Sequence, residues 1–197
     1  MTSSQNSKHR EPTTQLEFAR AGIVTSQMDV VARDENLDPE EIRSEVARGR
    51  MVIPANPAHR NLHPIGIGIA ARCKINANIG NSPTSSGLAQ EIDKLHVAVK
   101  YGADTVMDLS TGGDINVIRQ AIITESAVPV GTVPLYQVMA LVDEPQEITP
   151  ELIVDVVRTQ AEQGVDFMTL HAGLLLRHIP LAAQRLTGIV SRGGSIM

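Results

Sequence analysis

The hydrophobic positions in the second part of the chain repeat one pattern. From Cys73 onward, a short apolar segment is followed by a turn of glycine and small polar residues and then by an amphipathic stretch. Alternation of this kind is typical of parallel strands that are joined by helices through right-handed crossovers. We therefore expect strands at residues 74–78, 105–109, 128–133, 167–170 and 188–190. Helices are expected between them at residues 86–101, 115–124, 151–163 and 174–185, with a short one at 135–142.

The region from Thr13 to Arg72 does not show this pattern. Its sequence predicts three short helices, and Ser26 is expected to cap the second. The third has the strongest start signal, because Asp38 is followed by a proline and two acidic residues, which favour the first helical turn. After a short strand near 51–53, prolines keep the chain out of regular helix. These features indicate a small, mainly helical N-terminal domain.

Two architectures fit the repeated strand and helix pattern, an open doubly wound sheet and a closed (β/α)8 barrel. In a barrel, the carboxyl ends of successive strands together form the active site. Polar side chains end or follow every predicted strand, at Asn76, Asn78, Asp108, Ser110, Thr132, Tyr136, His171, Ser191 and Arg192. A dinucleotide-binding sheet would need a glycine-rich first turn, but the stretch 66–68 lacks the third glycine and precedes no predicted helix. The pattern favours an α/β fold with a partial (β/α)8 barrel of about five units.

We expect residues 1–12 to form a disordered tail, residues 13–72 the N-terminal cap domain and residues 73–197 the first part of a truncated barrel. The chain ends where the predicted fifth strand enters a glycine-rich turn. A buried parallel strand needs neighbours on both sides and a covering helix. The sequence therefore indicates part of a larger enzyme.

Composition and charge exclude several functional classes. The 197 residues carry a formal net charge of -5, and they lack the clustered Lys and Arg of a nucleic-acid surface. No run of apolar residues is long enough to predict a membrane span, and the first residues lack the apolar segment of a signal peptide, so we expect a cytoplasmic protein. Cys73, the single cysteine, allows no internal disulfide and cannot hold an iron-sulfur cluster alone. His59 and His63 lie four residues apart in a proline-broken loop, a spacing that indicates no metal site.

Several of the strand-end residues are candidates for ligand binding, and each has a structural alternative. Asn78 could bind a ligand or only satisfy backbone groups of a turn. Met107 could be barrel packing or the wall of a site for an aromatic ligand. Tyr136, one of two tyrosines, could present its ring and hydroxyl to a ligand. The imidazole of His171 could exchange hydrogen bonds with a substrate near neutral pH.

The segment Ser191-Arg192-Gly193 combines a hydroxyl, a guanidinium and a flexible backbone. These are the groups from which phosphate and carboxylate sites are built. The alternative is a helix N-cap followed by a surface arginine.

Seven longer motifs, which occur in a fixed order, make the sequence resemble one protein family. They are PAN at 54–56, KINANIGNS at 74–82, YGADTVMDLSTG at 101–112, VGTVP at 130–134, QGVD at 163–166, HAG at 171–173 and TGIVSRGG at 187–194. From about Gln15 to Met197 the sequence closely resembles the phosphomethylpyrimidine synthase family. The sequence differs from the usual family sequence at Pro57, which removes a backbone hydrogen-bond donor from its loop.

The resemblance implies a radical S-adenosylmethionine (SAM) enzyme of thiamine biosynthesis. Such an enzyme converts 5-aminoimidazole ribotide to hydroxymethylpyrimidine phosphate, with loss of formate and carbon monoxide. The substrate-binding positions that the resemblance carries over are Asn78, Met107, Tyr136, His171, Ser191, Arg192 and Gly193. The resemblance assigns no catalytic residue and no metal ligand to this chain.

The same resemblance implies a 4Fe-4S cluster, S-adenosylmethionine and a divalent metal, zinc, whose protein ligands are absent from these 197 residues. We therefore expect the isolated chain to be inactive. The family is expected to form homodimers, with a small-molecule substrate and neither nucleic acid nor membrane as a partner. Two alternatives stay open: a paralogue that makes 5-hydroxybenzimidazole from the same ribotide, and an inactive remnant that binds the ribotide or a partner chain.

Overall fold

Strands and helices alternate between Asn76 and Met168 in a computed structural model that describes residues 11–85 and 87–197. Most of the predicted tail, and Ser86 at the predicted start of one helix, lie outside the described residues. The helices are α1 (Gln15–Arg20), α2 (Ser26–Glu35), α3 (Pro39–Ala47), α4 (Leu88–Lys100), α5 (Ile115–Glu125), α6 (Pro134–Met139), α7 (Pro150–Gln163), α8 (Ile179–Ala183) and α9 (Arg192–Ile196). The strands are β1 (Met51–Val52), β2 (Ile67–Gly68), β3 (Asn76–Ile79), β4 (Thr105–Asp108), β5 (Val130–Thr132) and β6 (Phe167–Met168).

The chain divides into two compact units. Of the described residues, the first comprises 11–53 together with Pro64–Cys73, and the second comprises Pro54–His63 and the described part of Lys74–Met197. None of the helices in the described ranges is both long and apolar enough to cross a lipid bilayer.

The first unit consists of helices α1 to α3 and an antiparallel pair of strands, β1 and β2. Helix α3 begins as predicted, with Asp38 accepting a hydrogen bond from the backbone N–H of Glu40 at 2.7 Å. The cap of α2 differs from the prediction. Thr25 accepts the bond from the N–H of Met28, because Thr25 is extended whereas Ser26 is already helical.

The second unit is built on a four-stranded parallel sheet in the order β3-β4-β5-β6. Each strand pairs with the next one along the chain, and helices α4, α5 and α7 lie between them in sequence. One face of the sheet is covered by helices, because Val106 and Val130 pack with Leu95 of α4 and Ile122 of α5 in a buried core. The structure therefore confirms a mixed α/β fold with four parallel strands.

The predicted fifth strand at 188–190 is wrong. These residues pair with no strand in the part of the chain that the structure describes, and Ile189 and Val190 are 39% and 70% exposed. The backbone at Gly188 has φ +61° and its N–H donates to the carbonyl of Arg185, which forms a turn in place of an extended strand. Apolar residues alone did not distinguish a strand from a loop here.

The predicted helix at 174–185 is also incorrect as a single element. A 3-10 turn at Leu176–His178 is followed by the short helix α8. Pro180 lies in the first turn of α8, where its missing N–H is tolerated but where it would interrupt a longer helix. The other predicted helices of this unit lie within three residues of α4, α5, α6 and α7 at each end.

Candidate ligand-binding site

The carboxyl ends of β3 and β4 place Asn78 beside Met107. The two residues are partners in the parallel register, so their side chains lie on the same face of the sheet. Asn78 is exposed, and its side-chain oxygen accepts a hydrogen bond from the amide of Asn76 at 2.9 Å. Met107 is partly buried against a cluster of Val133, Leu135, Val138 and Val156. We call this cluster the α6 core.

The α6 core also brings later elements of the chain together. Tyr136 in α6 and Ile196 in α9 pack against it, as Met107 does. Residues from β4, α6 and α9 therefore share one apolar support.

Arg192 lies over the ring of Tyr136. Its guanidinium carbon is 4.9 Å from the ring centroid, within the range of a cation-π contact. Tyr136 is partly buried and Arg192 is exposed. No hydrogen bond or ion pair joins this guanidinium to any residue in the two described ranges, so its N–H donors remain available to an anion.

His171 lies beside the segment that starts α9. Its Nε2 is 3.4 Å from the hydroxyl oxygen of Ser191, and its Nδ1 is buried without a hydrogen-bond partner among the described residues. The ring packs closely on Gly193, where an added Cβ would lie 2.1 Å from Cε1 and Nε2 of the imidazole. Only glycine leaves room for the ring in this position.

Ser191 also fulfils its structural alternative. Its hydroxyl accepts a hydrogen bond from the backbone N–H of Gly194 at 3.1 Å, which makes it the N-cap of α9. The prediction of an N-cap is therefore confirmed. Arg192 is exposed, as this alternative expects, and it also lies against the ring of Tyr136.

The seven predicted residues thus form three local sets. Tyr136 contacts Arg192, and His171 contacts Ser191 and Gly193. The third set, Asn78 with Met107, reaches the others through the packing of Met107 on the α6 core.

Sequence reasoning missed a buried polar network behind Tyr136. Arg119 is only 1% exposed and donates to the side-chain oxygen of Gln137 at 2.6 Å. Gln160 donates to the same oxygen at 2.9 Å and accepts from the hydroxyl of Thr132 at 2.6 Å. One signal was present in the sequence, because Arg119 lies four residues after Ile115 and three before Ile122, on the apolar face of α5.

Burial also perturbs two charged groups of this region. Loss of solvation raises the pKa of Asp108, at the end of β4, although hydrogen bonds from Ser110 and the nearby charge of Arg119 oppose the shift. Loss of solvation lowers the pKa of Arg119, and the charge of Asp108 opposes that change.

His59 lies at the opposite, amino ends of the strands, where both of its ring nitrogens have hydrogen-bond partners. Its Nδ1 is 2.7 Å from the carboxylate of Asp166, and its Nε2 is 2.9 Å from the carbonyl of Ser126. Burial acts to lower the pKa of His59, but the hydrogen bonds to Asp166 and Ser126 outweigh it and raise that pKa. Two acceptors facing the two ring nitrogens favour the doubly protonated imidazolium. Within residues 11–85 and 87–197, no group of three or more His, Cys, Asp and Glu side chains could hold a metal ion.

Comparison with protein families gives one match over nearly the whole chain. The model described as the radical SAM ThiC family matches residues 14–197. This range contains all seven candidate residues and every motif on which the resemblance rested. The chain therefore belongs to the radical SAM ThiC family, whose members are SAM-dependent iron-sulfur enzymes of thiamine pyrimidine synthesis.

Proposed function

We propose that this chain carries part of the substrate site of a phosphomethylpyrimidine synthase, and that this site binds 5-aminoimidazole ribotide. The four parallel strands would be the first strands of a (β/α)8 barrel, with the ligand at their carboxyl ends. In support, each strand pairs with its successor, as barrel strands do. Asn78 and Met107 each lie one residue before the end of their strand, and Tyr136 and His171 follow β5 and β6. The reaction would convert the ribotide to hydroxymethylpyrimidine phosphate, formate and carbon monoxide.

The observation that carries this proposal is the pair of unsatisfied polar groups near the start of α9. Among the described residues, His171 Nδ1 is buried without a partner, and the guanidinium of Arg192, beside Ser191, has no hydrogen-bond acceptor. A buried nitrogen without a hydrogen bond is costly unless a ligand completes it.

Each candidate side chain then has a distinct role in binding. The guanidinium of Arg192 would bind the phosphate through charge-assisted hydrogen bonds. The ring of Tyr136 would fix the orientation of the guanidinium. His171 would form a hydrogen bond to a polar group of the ribotide. The amide of Asn78 would donate to the base or sugar, and Met107 would pack against a ring face.

The iron-sulfur cluster of the family does not fit the residues present here. A 4Fe-4S cluster requires three or four thiolates, and Cys73 is the single cysteine, exposed at the surface. No step of the radical reaction is therefore assigned to these residues. Their proposed part is to bind and orient the ribotide.

Titration calorimetry with 5-aminoimidazole ribotide tests the proposal. We expect saturable binding with a dissociation constant of about 1 mM or lower. The Arg192→Ala change should weaken binding about tenfold or more, because a charge-assisted hydrogen bond contributes on the order of 2 kcal/mol. Arg185→Ala is the matched control, since it removes the same charge from an exposed arginine nearby in the chain.

Two results would overturn the proposal. One is the absence of saturable heat from a chain whose circular dichroism shows a folded protein. The other is an equal loss of affinity in Arg192→Ala and Arg185→Ala, which would indicate attraction by net charge alone.

A further inference from the structure

Gln137 follows Tyr136 in α6, and both the oxygen and the nitrogen of its side-chain amide form hydrogen bonds. Its oxygen accepts from Arg119 at 2.6 Å and from Gln160 at 2.9 Å, and its nitrogen donates to Asn116 at 3.1 Å. These partners lie on α5 and α7, so one amide connects α6 to two longer helices.

Helix α6 needs such a connection because it is short. It contains six residues, and a helix of this length is unstable unless tertiary contacts hold it. It begins directly after β5 and carries Tyr136, whose ring meets Arg192. A small rotation of α6 would therefore move the ring away from the guanidinium.

Arg119 fixes the position of the Gln137 side-chain oxygen. Its charge is buried, and its two terminal nitrogens donate to Asn116, Gln137 and Gln163. Bonds from a charged donor are stronger than those between neutral groups, and the planar guanidinium fixes where its acceptors must lie. Burying a charged guanidinium costs free energy, and hydrogen bonds from the guanidinium must offset that cost.

We infer that Gln137 is a positioning residue, which Arg119 and Gln160 hold so that α6 presents Tyr136 to Arg192. Gln137 contacts no ligand in this scheme and acts through its neighbour. The consequence for ribotide binding rests on the proposed function, whereas the position of the Tyr136 ring does not.

The sequence offers a direct probe of that ring. It contains two tyrosines and no tryptophan, so in a Tyr101→Phe background Tyr136 is the only source of the tyrosine signal in near-ultraviolet circular dichroism. Tyr101 is 81% exposed, so this change leaves the core intact. All variants below are made in that background.

Three variants separate positioning from general packing. Gln137→Met keeps the volume and removes the hydrogen bonds, so we expect loss of most of the Tyr136 signal and ribotide binding weakened about tenfold. Gln137→Glu can still accept from Arg119 and Gln160, so we expect the signal and the binding to be retained. Gln163→Met is the control, because it removes another acceptor of Arg119, one that forms no hydrogen bond to α6 in the part of the chain that the structure describes.

The outcomes are distinct. An unchanged Tyr136 signal in folded Gln137→Met overturns the inference, as does an equal loss in Gln163→Met. If Gln137→Met does not fold, Arg119→Lys replaces it: a reduced Tyr136 signal supports the inference, and a full signal overturns it. If the signals follow the expectation but the reference chain does not bind ribotide, the positioning role holds and the proposed function fails.

Discussion

The two ends of the parallel sheet differ in how completely their polar groups are satisfied. At the amino ends, the Asp166 carboxylate is fully buried and accepts from the backbone N–H groups of Asn56 and Val130 and from His59. Each ring nitrogen of His59 has an acceptor. At the carboxyl ends, His171 has a buried nitrogen and Arg192 has N–H donors that no residue within 11–85 and 87–197 satisfies.

This contrast separates stability from binding. Polar groups that satisfy one another inside the chain hold strands and loops together, but they have no bond left for a ligand. Groups that remain unsatisfied do not stabilise the fold, and burying them costs free energy, but they can form hydrogen bonds to a substrate. In (β/α)8 barrels the amino ends of the strands serve stability and the carboxyl ends serve catalysis, which is the division that we propose here.

The largest expected effect comes from Asp166→Asn at the amino ends. An amide has one acceptor and one donor group, so its NH2 would face either the N–H of Asn56 or the N–H of Val130. We expect a loss of about 3 kcal/mol in the free energy of unfolding, measured by urea denaturation, because a buried ion pair is broken.

Asp155→Asn is the control for that experiment. Asp155 lies on α7 in an exposed pair with Arg158, so its replacement should change the stability by less than about 1 kcal/mol. Equal losses in the two variants would contradict the special role of Asp166.

Helices α4 to α7 could be predicted from the sequence because their signals are local. Asp114 and Thr149 cap α5 and α7 by accepting bonds from backbone N–H groups two or three residues later. The family could also be predicted, since its motifs are long and ordered, and the family match confirms it.

Contacts between distant residues could not be predicted in the same way. His59 and Asp166 are 107 positions apart, and nothing near His59 indicates its partner. The prediction of a strand at 188–190 failed for a related reason. Ile189 and Val190 have side chains that favour strands, but a strand forms only where a neighbouring strand can pair with it. Tyr136 and Arg192 were each predicted as candidates because they follow predicted strands. Their contact with each other depends on how α6 and α9 pack, which the sequence does not show.

The second prediction perturbs the carboxyl ends without unfolding the chain. In Gly193→Ala, the new methyl group would occupy the space of the His171 ring, so the imidazole must move. We expect ribotide binding to weaken about tenfold, because a displaced hydrogen-bonding group loses its alignment, while the urea midpoint changes little. Calorimetry and urea denaturation of the same sample measure both quantities.

Gly173→Ala is the matched control for this change. Gly173 lies two residues after His171, and an added Cβ there meets no atom within 4 Å. Its affinity for the ribotide should therefore remain close to that of the unchanged chain. A similar loss in both variants would mean that the loop, and not the His171 ring, limits binding.

The smallest expected effect is a pH dependence that arises from His59 at the amino ends of the strands. Because the folded chain raises the pKa of His59, this residue adds stability that is fully present below its unfolded pKa of about 6.5 and is lost as the pH rises through the folded pKa. The loss should be smaller than in Asp166→Asn, since a neutral ring still donates one hydrogen bond to Asp166 or Ser126. We expect the difference in unfolding free energy between the unchanged chain and His59→Asn to shrink as the pH is raised, when both are measured by urea denaturation in matched buffers. A difference that stays constant over that range would mean that folding leaves the pKa of His59 unchanged, and a difference that grows with pH would mean that His59 is neutral in the folded chain. Either result would contradict a charged pair of His59 and Asp166 at the amino ends.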